Sequence, residues 1–206
     1  MSMFDKNTEL TSGSSDEMSN LDIYLGLTTD ERIFIPGVYE NGLITICGSS
    51  SYKSYLMESW DIFKPKKIIP IALTAWGDLI YVEAGSQVTQ MFFMQKHKGI
   101  EIDISPHEFI VYILRNEEEG EEFLQTSKFR RVLNKCGPLT YGNCYIHEPW
   151  QLWNVSESIG NWTMGDNSVY IDLVGQTWPQ RDKALEAMKK AGKEGRAPKI
   201  KVSISE

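Results

Sequence analysis

The sequence predicts an α+β fold: a twisted, mainly antiparallel sheet with helices packed on one side, built as a small N-terminal subdomain merging into a larger C-terminal one. Three observations carry this. The stretch Ile68 to Val82, IIPIALTAWGDLIYV, packs two strand-like apolar runs around one turn. TQMFFMQ and GIEIDI follow at hairpin spacing, as in an antiparallel meander. Between Ser105 and Cys136 the period changes, and apolar residues recur at three and four, as on one face of a helix.

Taken in order, residues 1–20 are rich in Ser, Thr, Asn, Asp and Gly, with too few large apolar side chains to offset the entropy of ordering, and are expected to be a disordered N-terminus. From Leu21 to Leu43, Gly26, Pro36-Gly37 and Asn41-Gly42 mark turns between short strands, and GLITICG, Gly42 to Gly48, reads as a strand. The serines 49–51 offer N-cap hydroxyls to a helix whose pattern is Tyr52, Tyr55, Leu56, Ser59, Trp60 and Phe63, ending at Lys64-Pro65. The meander strands follow. Ser105-Pro106-His107-Glu108 then has the form of a capped helix start, with a hydroxyl, a proline at the first helical position and a glutamate three residues after the serine. Phe109, Ile110, Ile113 and Leu114 supply its buried face.

The run EEEGEE, Glu117 to Glu122, interrupts, and Phe123, Leu124, Phe129, Val132 and Leu133 form a second helical stripe that ends near Cys136-Gly137-Pro138. NCYIHEPW and SVYIDLVGQ read as further strands joined by a loop rich in Trp, Asn and Gly. Gln180 to Ala191 is a helical pattern, and a basic linker leads to the strand-like KIKVSIS. The domain boundaries that follow are 1–20, 21–66, 67–178 and 179–206, the last a basic helix and strand extension.

Composition narrows the classes. The chain has 206 residues, enough for an ordinary core, and a net charge of −7, which opposes nonspecific phosphate binding and favours encounter with a basic partner. The N-terminus is polar and acidic where a signal peptide is basic and then apolar, and there is no run of about 18 apolar residues to cross a bilayer, so a cytoplasmic protein is expected. Cys47, Cys136 and Cys144 form no disulfide-like framework and read as free thiols.

Two segments resemble a known family. IPIALTAWGDLIYV, with Trp76 at an aromatic position and Gly77-Asp78 in the turn, is similar to the opening strands of the C-terminal domain of type VI secretion immunity proteins, and FRRVLNKCGPLTYGNCYIHEPWQL is similar to a later segment of it. GIEIDISPHEFIVYIL resembles the strand and helix between them, and YENGLITICGSSSYKSYLMESW resembles the end of a GAD-like domain. The match runs from about Glu40 to Gln176, so residues 21–66 read as a partial GAD-like subdomain and 67–178 as the immunity-type domain. The family was first described in an immunity protein that protects against a DNase toxin. The resemblance implies a protein without catalysis or cofactor of its own, whose partner is a cognate toxin, a nuclease for preference.

Candidate chemistry is sparse. Cys136, Cys144 and His147, with His107 as a fourth group, could be imagined around a metal, but the close cysteine pairs of zinc sites are missing, so no metal is expected. Cys144 or Asp78 with a histidine is the enzymatic alternative, a hydrolase; against it, an aspartate after glycine between strands usually bonds backbone amides. Trp150, Trp153 and Trp162 are open to three readings: core, protein-interface anchors, or a stacking face for a small ligand of a regulatory module. Glu117, Glu118, Glu119, Glu121 and Glu122 are either a solvated linker or a carboxylate patch able to occupy a nuclease's cationic cleft. Together with the three tryptophans they are the candidate partner-binding residues.

Overall fold

A computed structural model describes residues 10–13, 17–28, 33–49, 57–148 and 161–193. Among the described residues seven strands form one sheet in sequence order: β1 Leu10–Gly13, β2 Gly37–Tyr39, β3 Ile44–Ile46, β4 Ile68–Thr74, β5 Leu79–Glu83, β6 Thr89–Phe93 and β7 Lys98–Ile102. Every neighbouring pair is antiparallel. This is the expected meander, extended on the N-terminal side. The N-terminal subdomain merges into the larger one through the β3–β4 pairing, where Ile44, Thr45 and Ile46 oppose Thr74, Leu73 and Ala72.

Alternation along the strands divides the core into two layers. Ile80, Val82 and Met91 face one cluster; Leu79, Tyr81 and Phe92 face the other. The first layer is closed by α2 Pro106–Arg115 and α4 Thr126–Cys136, through Phe109, Ile110, Ile113, Phe129 and Val132. Leu21 of α1 Asn20–Tyr24 and the neighbouring Phe34 complete it. The second layer is closed by Met57, Trp60 and Phe63 from the β3–β4 connection and by Tyr170, Ile171, Val174 and Trp178 of α5 Asn167–Lys193. Fully burying each such side chain is worth about 1.5–3 kcal/mol, and both faces of the central strands β4, β5 and β6 are covered.

Local rules account for the helix ends. Ser105 and Glu108 form a complete capping box with Pro106 behind the cap. Gly137 ends α4 at φ +83°, a conformation open to glycine. The acidic run is α3 Glu117–Glu119, which continues into a π-helical turn Gly120–Leu124. A hairpin of β8 Asn143–His147 and β9 Trp162–Asp166 forms a separate two-stranded sheet. It is tied to the β4–β5 turn by the Tyr145 N–H, which donates to the Ala75 carbonyl at 2.8 Å.

Three expectations are corrected. Within 1–20, the segment Leu10–Gly13 is a strand paired to β2, and Ser19 and Asn20 are buried, because the Ser19 hydroxyl accepts the Asp22 N–H and the Cys47 and Pro70 carbonyls accept from Asn20. SVYIDLVGQ is not a strand but the first turns of α5, and a strand, β9, lies in the stretch read as loop. The second sheet face, left without a helix in the sequence reading, is covered by this same part of α5. Of the helix expected after Ser49, residues 51–56 lie outside the described set, as do KIKVSIS and residues 149–160. No helix among the described residues is long and apolar enough to cross a membrane.

Candidate functional site

The turn Thr74 to Asp78 is the hub of the molecule. Gly77 takes φ +79°, and a Cβ there would lie 3.1 Å from the Tyr170 ring, so this glycine serves both the turn and the approach of α5. Trp76 is 4% exposed, and its indole N–H donates to the Leu124 carbonyl at 2.8 Å. That bond fastens the hub to the last residue of the acidic π turn. Trp162 meets Trp76 edge-on at 5.1 Å and His147 at 4.9 Å. The Lys128 ammonium lies over both indoles, 4.4 Å from the Trp76 ring and 4.8 Å from that of Trp162.

Asp78 is buried beneath this group. Its carboxylate accepts the Met94 N–H at 2.9 Å, so it clamps the β4–β5 turn to the end of β6, and its own N–H donates to the Thr74 hydroxyl. Burial pushes its carboxyl up to about 6, against the opposing pull of the Met94 N–H and of Lys96 and Lys128. The space between Asp78, Gln95, Lys128, His147, Trp162 and Tyr170 is a cavity of about 20 Å³. That volume holds one water, and the Gln95 Oε1 facing it is buried with no hydrogen-bond partner among the described residues.

The thiols and histidines do not converge. Burial pushes the Cys144 thiol well up, with Asp166 and Asp78 adding to the effect, which holds it in the unreactive protonated form. Cys136 Sγ donates to the Trp162 carbonyl at 3.3 Å. His107 packs edge-on to Phe34 at 5.5 Å, in the first core layer. Among the described residues no group of three His, Cys, Asp or Glu is placed to hold a metal ion.

The acidic run is a built surface. The Asn116 side chain caps α3 by accepting from Glu118 and Glu119 N–H groups. Glu119 accepts the Tyr112 hydroxyl at 2.6 Å, and Glu121 accepts from the Ser127 N–H and the Thr126 hydroxyl at 2.8 and 2.9 Å, capping α4. The Ser127 N–H and the two hydroxyls hold the Glu121 carboxyl below its ordinary range. The carboxylates of Glu117, Glu118 and Glu122 are exposed and have no hydrogen-bond or ion-pair partner among the described residues. Two of the five candidate glutamates therefore fix the shelf, and three face solvent from it.

The tryptophans separate differently. Trp162 is 6% exposed and belongs to the first core layer, so of the roles left open for it, core is the one its position fills. Trp150 and Trp153 lie outside the described residues. Sequence reasoning did not single out Lys128 or Gln95; a lysine four residues before a buried valine gives no signal until the hairpin brings Trp162 over it.

No family model matches the chain, and no curated protein matches it. Among solved structures it is similar to the crystal structure of Atu4351 from Agrobacterium tumefaciens, at 14% identity and a TM-score of 0.53, with 83% of each chain covered. At that identity the likeness is one of fold.

Proposed function

We propose that this chain is an immunity protein: it binds a cognate antibacterial toxin in the cytoplasm, a type VI secretion nuclease for preference, and blocks it without a reaction of its own. The observation that carries the reading is the bond from Trp76 to Leu124, which joins the segment resembling the immunity domain to the carboxylate shelf. Glu117, Glu118 and Glu122 stand on backbone held at both ends, so they meet a cationic cleft at little entropic cost. Net charge −7 adds long-range steering toward such a cleft. The hydrolase alternative has less support, since Cys144 is a protonated buried thiol and the cavity beside Asp78, about 20 Å³, has room for water alone.

The test is co-expression with the toxin-like open reading frame adjacent to the gene, scoring survival and pull-down together. Rescue with a stable complex is expected, and E117K/E118K/E122K should weaken binding by about tenfold or more. Neither rescue nor complex would reject the reading.

A further inference from the structure

A second concavity lies away from the shelf, where α1, the β5–β6 turn and the β7–α2 junction meet. It is a groove of about 890 Å³. Its walls are fastened. The Tyr24 hydroxyl donates to the Ser86 carbonyl, joining α1 to the β5–β6 turn. Val88 N–H donates to the Ser86 hydroxyl at 3.1 Å, Thr89 hydroxyl to the Ile104 carbonyl at 2.5 Å, and the Ser105–Glu108 box fixes the start of α2. Such a site is formed before anything binds.

Its lining combines two properties. Leu25 and Ile104 are 40% and 37% exposed, and the half-buried Val88 lies with them, so apolar surface faces the groove. Among the described residues the charged groups of the lining are Asp103 and Glu108, with no lysine or arginine beside them. Asp103 is exposed and has no partner among the described residues, whereas Glu108 Oε2 already accepts from the Ser105 N–H and hydroxyl. Nucleic acid is repelled by this pair of carboxylates, and a second copy of the chain would bring the same two charges against each other across a symmetric contact.

We infer that the groove seats an extended segment of the toxin that carries a lysine or arginine next to an apolar side chain. The apolar group rests on Leu25, Val88 and Ile104, and the cation meets Asp103 with Glu108 alongside. This rests on the immunity reading and adds to it a second contact, independent of the glutamate shelf and of different chemistry.

Titration of the full-length chain against the adjacent-gene toxin, rendered inactive for handling, tests it. L25E/I104E and D103K alter exposed side chains, and circular dichroism checks that each folds. The expected result is that L25E/I104E weakens the complex by about thirtyfold and D103K by about tenfold, the latter loss shrinking at high salt. A wild-type complex with both variants within about twofold of it overturns the groove assignment and leaves the immunity reading standing. A wild-type dimer by sedimentation that L25E/I104E dissociates, with toxin affinity unchanged, assigns the groove to a second copy and overturns it too. Absence of any wild-type complex removes the immunity reading and this assignment together.

Discussion

At the residue scale, Asp78 shows how a turn that looks interchangeable is tied to one environment. Its carboxylate is buried, yet its hydrogen bond of 2.9 Å from the Met94 N–H is what holds two strand ends together. Its folded pKa, about 6, lies above the unfolded value near 3.8. The folded state therefore binds the proton more tightly, and stability contributed by this group falls as pH rises from about 4 to about 6, then stays level. Asp61, Glu83, Glu108 and Glu121 are depressed instead and lose their contribution only as pH falls below the ordinary carboxylate range. Asp78→Asn keeps the acceptor and removes the titration. The difference in unfolding free energy between wild type and this variant should fall by about 2 kcal/mol across pH 4 to 6, read by urea denaturation. A flat difference would mean that the carboxyl is hydrated in the folded protein.

At the element scale, α5 against the sheet gives the sharpest test. Gly175 is inside this helix, where alanine would ordinarily gain about 1 kcal/mol of helix propensity. A Cβ at that position would stand 2.6 Å from Ser59 Oγ and from Trp60 Nε1, whose N–H donates to the Ile171 carbonyl at 3.0 Å. Packing should win: Gly175→Ala is expected to lose about 1–3 kcal/mol and to shift Trp60 emission. Equal or greater stability in a thermal melt would refute the close approach. The same helix marks where sequence reading stopped. The meander was legible because each strand alternates between two buried layers, and α2 because its capping box is local chemistry. SVYIDLVGQ misled because Val169, Tyr170 and Ile171 are β-branched or aromatic and suit a strand locally, while the spacing that identifies the helix, Tyr170, Val174 and Trp178, needs the partner surface of Trp60 and His97 to have meaning. Of the candidate site, the glutamates were visible as charge; that Glu119 and Glu121 are caps and ties was not, since their partners Tyr112 and Ser127 come from the flanking helices.

At the scale of the whole molecule, one sheet serves two opposite layers, and the turn Thr74 to Asp78 touches both: Trp76 is in the first, and Gly77 lies against Tyr170 of the second. The layers are thus coupled through five residues, and a surface charged on one side and grooved on another rests on a common frame. The far end of α5 is a different matter. Trp178 is its last buried side chain among the described residues, fixed by its indole N–H to the Met94 carbonyl at 3.0 Å, with the His97 ring stacked on it and the Arg181 guanidinium over its ring. From Asp182 to Lys190 the described side chains are exposed. Those turns form a cantilever whose opening uncovers no core among the described side chains, so helix propensity and surface charge pairs resist it. Amide hydrogen exchange should fall into two steps along this single helix, slow from Tyr170 to Trp178 and faster by about a hundredfold or more beyond Asp182. Trypsin should find Lys183, Lys189 and Lys190 before any bond of the body, trimming the chain at a point set by one indole.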